Sequence, residues 1–243
     1  SQAQFIIVSA EDGPESEKWL MGDHGVMQGM CDGRTVIDMT TLSPAQASRQ
    51  SRACQEAGGA YLDSPVSGGA PGARTGNLVM MIGGPEEAFD RALPVLKPLG
   101  RVIVRVGEAG AGAIAKLCNQ VLVMVNLLAT CEALTLGAGL GLDVRRVYEA
   151  VRNGAGGSWQ FENLGARIMA GDLEPGGTVE TVQKDLDIMM SAARDLHLTL
   201  PGSSLVQQLY NAVEADGKGK KGHQALVAAY EKLSGVHVPD HAG

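Results

Sequence analysis

The sequence GAGAIAKLCNQVLVMVNLLATCEALTLGAGLG, residues 110–141, predicts one long helix and thereby decides the fold. Glycines stand near its ends, whereas the alanine, leucine and methionine between them favour helix. Apolar residues lie nearly all round it, which is typical of a helix buried in the centre of a protein. A membrane span needs about 20 consecutive apolar residues, and polar residues interrupt this stretch at Asn126, Thr130, Glu132 and Thr135. We therefore expect a core helix and no membrane association.

Two polar residues in the first turns of this helix, Lys116 and Asn119, are three positions apart and so share a face. A lysine near a helix end is usually solvated, with its aliphatic stem covering apolar surface. An ammonium held near a carboxylate pocket can instead protonate a carbonyl oxygen or polarise an alcohol. Lys184 allows the same two interpretations. Taken alone, each lysine is better interpreted as exposed.

Composition excludes several classes of protein. The chain has 243 residues, of which 44% are hydrophobic, and a net charge of −7, so it can bury a core and lacks the basic face of a nucleic-acid-binding protein. Its four cysteines show no CxxC spacing, which indicates free thiols and no metal site. No secretory signal precedes the first apolar run. We expect a cytoplasmic protein.

The order of elements predicts an α/β part followed by an all-helical part. Up to Gly107, short strands alternate with helices, which implies a largely parallel sheet. The predicted strands are residues 5–10, 35–40, 60–68, 77–84 and 101–107. No convincing strand follows Gly107. We therefore predict one domain over residues 1–107 and a helical domain over 108–243.

The stretch DSPVSGGAPGARTGNL, residues 63–78, can bind an anion. Successive backbone N–H groups with no side chain in the way form a nest for a carboxylate or phosphate, and Gly68 and Gly69 provide two of them. The hydroxyl of Ser67 adds a donor. A plain glycine-rich turn explains the same spacing equally well.

A dinucleotide fingerprint is only apparent at residues 110–115. GAGAIA matches GxGxxA, and Glu132 lies 20 positions beyond Gly112. The fingerprint requires a second strand that ends at the acidic residue, whereas this segment stays helical. The patterns GxxxxGK[ST], HExxH and GxSxG are absent as well.

Four stretches, in this order, resemble the β-hydroxyacid dehydrogenase family: DMTTLSP, DSPVSGGAPGARTGNLVMMIGG, GAGAIAKLCNQ and KDLDIMMSAARDLHLTLP. The similarity extends over nearly the whole chain. It implies a Rossmann-like parallel-sheet domain followed by a helical domain that the long helix opens. It also implies hydride transfer between NAD or NADP and a small hydroxy acid or its semialdehyde, in a homodimer or homotetramer.

The resemblance also assigns roles to individual residues. Lys116 resembles the family's catalytic lysine, and Asn119 its partner asparagine. Ser67, Gly68 and Gly69 resemble the loop that holds the substrate carboxylate. Cofactor-binding positions of the family match Thr41 and Lys184. This assignment agrees with the chemistry, because an alkoxide formed by hydride delivery needs a proton and a nearby positive charge.

The chain departs from the family pattern in three places. It starts at what resembles the family's fourth strand, without the strand and GxGxxG loop that normally come first, so we expect either that this sequence lacks an amino-terminal segment or that the chain is a natural remnant. Gly177 stands where an aromatic residue is usual. Gly222, before His223, aligns with an acidic residue near the last helix.

Two other functions compete with the dehydrogenase. A dehydrogenase-like module without catalysis would keep the fold for oligomerisation or partner binding, and a missing phosphate loop favours it. Lys116 with Asn119 favours the enzyme, because a scaffold has no use for this pair on a buried face. An imine reductase shares the architecture, but that group usually lacks a lysine at this position.

Overall fold

The amino-terminal part of the chain contains a six-stranded β-sheet. The computed structural model describes residues 3–31 and 33–238. The chain divides into two compact units, residues 1–118 and 119–243. The strands of the first unit are β1 (Phe5–Val8), β2 (Thr35–Asp38), β3 (Ala60–Asp63), β4 (Val66–Ser67), β5 (Leu78–Gly83) and β6 (Gly100–Gly107).

The sheet is mainly parallel, as the alternation of strands and helices predicts. β1, β2 and β3 pair in parallel, and so do β5 and β6. β5 runs antiparallel to the end of β3, where Asp63 faces Gly83, and to β4, where Val66 faces Met80. All four residues of β2 are buried, as expected of a strand in the middle of a covered parallel sheet.

The predicted single strand over residues 60–68 is two strands, because Pro65 interrupts it. Proline has no N–H to donate to a ladder. Up to Asp63 the chain pairs with β2, and from Val66 it pairs with β5. The change of partner places the carboxyl end of β3 and the short β4 side by side with β5.

Helices connect the strands of this unit. They are α1 (Gly13–Met21), α2 (Pro44–Glu56), α3 (Gly69–Thr75), α4 (Glu86–Leu96) and the first turns of α5 (Ala111–Gly139). Ser43 caps α2: its hydroxyl accepts from the Gln46 N–H at 3.2 Å, while the Gln46 side chain accepts from the Ser43 N–H at 3.0 Å. This reciprocal pair is a capping box. α3 was not predicted; it occupies what the sequence indicates as a turn.

Both faces of the sheet are covered, since neighbouring residues of one strand pack into different cores. Val36 joins a cluster with Leu20 and Cys54, which come from α1 and α2. Ile37, the next residue of β2, joins a cluster that includes Leu96 from α4. Successive side chains of a strand point to opposite faces, so this unit has the three layers of a Rossmann-like fold.

The second unit is helical. It contains the rest of α5, then α6 (Val144–Val151), α7 (Ala166–Met169), α8 (Val179–Asp195), α9 (Pro201–Ala215) and α10 (Val227–Ser234). A π-helical turn over Phe161–Gly165 precedes α7, and a 3₁₀ turn over His223–Leu226 precedes α10. Residues 108–238 contain no strand, only an isolated antiparallel bridge between Thr178 and Gly222.

By length and composition alone, α5 could cross a membrane, with a mean hydropathy of 1.8 over its most apolar window. Core helices of soluble proteins have the same composition. The polar residues Lys116 and Gln120 on this helix are buried and bond to protein groups, which favours a core helix.

The cysteines are free thiols, as their spacing predicts. Cys31 and Cys118 are exposed, whereas Cys54 and Cys131 are buried. Burial raises the pKa of the Cys54 thiol to about 12. Because the thiolate is the reactive form, this residue contributes to packing and not to redox chemistry.

Candidate functional site

Lys116 lies in the second turn of α5 and is buried, with 8% of its surface exposed. Its ammonium Nζ donates a hydrogen bond to the backbone carbonyl of Val66 at 2.9 Å. A buried charge needs such partners, because the loss of hydration costs several kcal/mol. The prediction that Lys116 is exposed, which the residue type alone favours, is therefore wrong. The cation is held next to the residue that begins the glycine loop.

The glycine loop consists of Ser67, Gly68 and Gly69 and joins β4 to α3, since Ser67 is the last residue of β4 and Gly69 the first of α3. Ser67 is half-buried, and both glycines are exposed. Gly68 has φ +123° and Gly69 has φ +59°, conformations that other residues adopt only with strain. The loop thus presents backbone without side chains to solvent, one residue from the carbonyl that holds Lys116.

The start of α5 is capped by a side chain from another element, a contact that is not among the predictions from the sequence. Asp63, at the end of β3, is 1% exposed. Its Oδ1 accepts from the N–H of Gly110 and its Oδ2 from the N–H of Ala113, each at 2.8 Å. Burial raises the pKa of this carboxyl, while the bonds from Gly110 and Ala113 act in the opposite direction. One feature of the sequence could have indicated a cap from elsewhere in the chain: no Ser, Thr, Asp or Asn stands at residues 108–111 to cap the helix locally.

Thr41 is half-buried and lies in the loop after β2, at the carboxyl edge of the parallel strands. The base of this loop is fixed by Asp38, which is fully buried. Its carboxylate accepts from the Thr40 N–H at 2.9 Å and from the Ser16 hydroxyl at 2.5 Å. Nucleotides bind at this edge in open α/β sheets.

In the second unit, Asn119 and Lys184 belong to one polar network around Asp185. Asn119 Nδ2 donates to Gln120 Oε1 at 2.9 Å, and Gln120 Nε2 donates to Asp185 Oδ2 at 2.6 Å. Lys184 Nζ lies 3.8 Å from Asp185 Oδ1. Gln120 and Asp185 are 5% and 4% exposed. Neither residue is predicted from the sequence, although each directly follows a predicted site residue.

Two departures from the family pattern meet in the second unit. A Cβ at Gly177 would lie 2.5 Å from Nε2 of His223. The imidazole ring therefore occupies the space that a side chain at position 177 would need. Gly222, immediately before this histidine, pairs with Thr178 in the isolated bridge.

No group of three or more His, Cys, Asp or Glu side chains in residues 3–31 and 33–238 is arranged to hold a metal ion. The polar groups at the predicted site residues of the two units are an ammonium, a hydroxyl, amides and backbone N–H groups. These groups bind carboxylates and transfer protons.

Comparison with known proteins identifies the family. Two family models match the chain. The model described as "NAD binding domain of 6-phosphogluconate dehydrogenase" matches residues 1–107, and the model described as "NAD-binding of NADP-dependent 3-hydroxyisobutyrate dehydrogenase" matches residues 110–230. The 2-hydroxy-3-oxopropionate reductase of Escherichia coli K12 is 37% identical, over 96% of this chain and 80% of its own length. The L-threonate dehydrogenase of Cupriavidus necator is 33% identical, over 100% of this chain and 81% of its own length.

A solved structure has the same fold. The crystal structure of a 3-hydroxyisobutyrate dehydrogenase from Salmonella typhimurium superposes with a TM-score of 0.85 at 30% identity, over 93% of this chain and 79% of that one. The three similar proteins are dehydrogenases and a reductase. The comparisons therefore support an enzyme and not a dehydrogenase-like module without catalysis.

The residues present fit a nicotinamide cofactor. In the first unit, three parallel strands end at one edge beside the Thr41 loop, which is where open α/β sheets bind nucleotides. By its motifs, its fold and these relatives, the chain belongs to the β-hydroxyacid dehydrogenase family, whose members are NAD(P)-dependent oxidoreductases.

Proposed function

We propose that the chain oxidises a small β-hydroxy acid, or reduces its semialdehyde, with Lys116 as the general acid and base. One observation supports this role above the others: the lysine is buried and its ammonium is bonded to the Val66 carbonyl. A solvated surface lysine would have neither property. The bond fixes a proton donor next to the loop that we assign to the substrate.

Lys116 moves the proton that accompanies hydride transfer. Bound NAD or NADP supplies or accepts the hydride. In the reducing direction, the substrate oxygen gains negative charge, and the ammonium both stabilises that charge and donates a proton to it. In the oxidising direction, the neutral amine accepts the hydroxyl proton.

Ser67, Gly68 and Gly69 bind the substrate carboxylate in this proposal. Both glycines are exposed and carry no side chain that would keep the carboxylate away from their N–H groups. The Ser67 hydroxyl provides a further donor. Since Lys116 bonds to the residue before Ser67, carboxylate and hydroxyl of one small substrate are both within reach.

Asn119 orients the substrate hydroxyl, and Lys184 and Thr41 bind the cofactor. The amide of Asn119 is held by Gln120, which Asp185 fixes in turn. A network with buried members keeps its geometry, because breaking one bond leaves a buried polar group unsatisfied. Asn119 is therefore preorganised for a hydrogen bond to the ligand.

A substrate panel tests the function. The full chain is incubated with NAD⁺ or NADP⁺ and with 3-hydroxyisobutyrate, L-threonate or a simple alcohol without a carboxylate, and absorbance at the nicotinamide band is followed. 2-Hydroxy-3-oxopropionate is tested in the reducing direction. We expect turnover of at least one hydroxy acid or semialdehyde and none of the alcohol. Equal rates with the acid and with the alcohol would contradict the assigned carboxylate loop.

We further propose a cytoplasmic homodimer or homotetramer that forms through the helical unit. Leu122 and Leu136 on α5 are 63% and 64% exposed, and Ala129 between them is exposed as well. These three residues are seven positions apart, which places them on one face. A continuous row of exposed apolar residues on one helix face is typical of an interface, whereas a single exposed apolar residue is not.

Leu122→Glu is expected to shift the protein toward the monomer, because it places a charge within the proposed interface. Light scattering at micromolar concentration measures the mass. Leu233→Glu is the matched control, since Leu233 on α10 is 76% exposed and lies outside the proposed face. A wild-type monomer would exclude the interface, as would an oligomer that both variants leave intact.

A further inference from the structure

Asp63 links the strand that leads to the glycine loop with the helix that carries Lys116. Its two carboxylate oxygens accept hydrogen bonds from Gly110 and Ala113 at the start of α5. Three residues beyond Asp63, the carbonyl of Val66 accepts from Lys116. The same short segment therefore holds α5 at its first turn and at the lysine one turn later.

The contact is too close for any side chain between the segment and the helix. A Cβ at Gly112 would lie 2.6 Å from the backbone oxygen of Asp63 and 2.8 Å from its Oδ2. A Cβ at Gly83 would lie 2.5 Å from Oδ1. Two glycines, one on α5 and one on β5, thus allow the carboxylate to reach the helix backbone.

The charge of Asp63 suits this position. The first N–H groups of a helix have no partner within the helix, and the helix dipole makes this end positive. A buried carboxylate that accepts two of these N–H groups fixes both the rotation and the axial position of the first turn. The direction of the Lys116 stem depends on both, because Lys116 is three residues after Ala113 on the same helix.

We propose that Asp63 is a positioning residue for the reaction: it holds the start of α5 so that Lys116 Nζ stands beside the glycine loop. This inference rests on the proposed function, in which Lys116 transfers the proton. Because Asp63 itself is only 1% exposed, its carboxylate is shielded from a substrate in the solvent, so we assign its effect to the helix alone.

Asp63→Asn in the full chain tests the inference. The amide keeps one acceptor oxygen but turns an NH₂ group toward a backbone N–H, so one of the two bonds is lost. Misplacement of a catalytic group by about 1 Å can cost roughly 10²-fold in rate. We expect kcat to fall at least about tenfold, while the Kd of NAD(P) stays within about twofold, because Thr41 and Lys184 are untouched.

Asp12→Asn is the matched control. Asp12 caps α1 in the same unit by accepting from the Glu15 N–H at 2.8 Å, so this substitution removes the same negative charge from the start of a helix but does not involve α5. All rates are divided by the folded fraction from circular dichroism. If Asp63→Asn does not fold, Asp63→Ser, which keeps one small acceptor, is measured in the same way.

The outcomes separate the inference from the function on which it rests. A loss of kcat in the folded Asp63 variant, with Asp12→Asn near wild type, supports the positioning role. A folded Asp63 variant with kcat within twofold of wild type overturns it. If Lys116→Ala is inactive while the Asp63 variant is fully active, only the positioning role fails; if Lys116→Ala is fully active, the proposed function fails.

Discussion

Lys116→Ala is expected to lower kcat by roughly 10²–10⁴, the usual loss on removing a positioned general acid. The variant removes the ammonium that donates to the Val66 carbonyl at 2.9 Å. Neither a proton nor a positive charge then reaches the substrate oxygen from this side chain. The effect should appear in kcat and kcat/KM alike, because the interaction matters most in the transition state.

Two further variants separate chemistry from packing. Lys116→Met keeps a long apolar stem in the buried position but has no proton to give, so it should be about as inactive as the alanine variant. Lys97→Ala removes an exposed lysine of the same unit and should retain full activity. The measurement is steady-state turnover of the best substrate from the panel. Activity of Lys116→Ala within about threefold of wild type would exclude the role.

The sequence predicts the layers of the fold well, because patterning and capping are local. The capping box of Ser43 with Gln46 and the break after Gly107 are both visible in the printed residues. The family resemblance adds the assignment of Lys116. Sequence alone favours an exposed lysine there, since burial depends on the distant Val66 carbonyl, 50 positions away.

The features that escape prediction are long-range contacts of single side chains. Asp63 caps a helix that begins nearly 50 residues later, and Gln120 bonds to Asp185, 65 positions away. Neither contact has a periodic pattern. The strand break at Pro65 is different, because a proline inside a predicted strand is itself a signal, and it could have been used to divide residues 60–68.

Gly68→Val is expected to raise the KM of the hydroxy acid at least about tenfold, while the Kd of NAD(P) changes little. The valine side chain would cover N–H groups that we assign to the substrate carboxylate. Space in the fold is not the obstacle, because a Cβ at Gly68 would lie 3.5 Å from the nearest Leu78 atom, an ordinary contact. Within the chain, the valine would strain the backbone, because Gly68 has φ +123°. Strain of this kind costs about 1–3 kcal/mol of folding stability.

A second glycine with positive φ provides the control, because a substitution there strains the backbone at a position that we do not assign to ligand binding. Gly33 has φ +82°, a Cβ there would meet nothing within 4 Å, and it is outside the proposed site. Gly33→Val should therefore lose stability by a comparable mechanism and keep the wild-type KM. Calorimetric titration with the cofactor and with the hydroxy acid separates the two affinities. If Gly68→Val weakens both equally, or if Gly33→Val raises KM as much, the loop serves folding and the substrate carboxylate binds elsewhere.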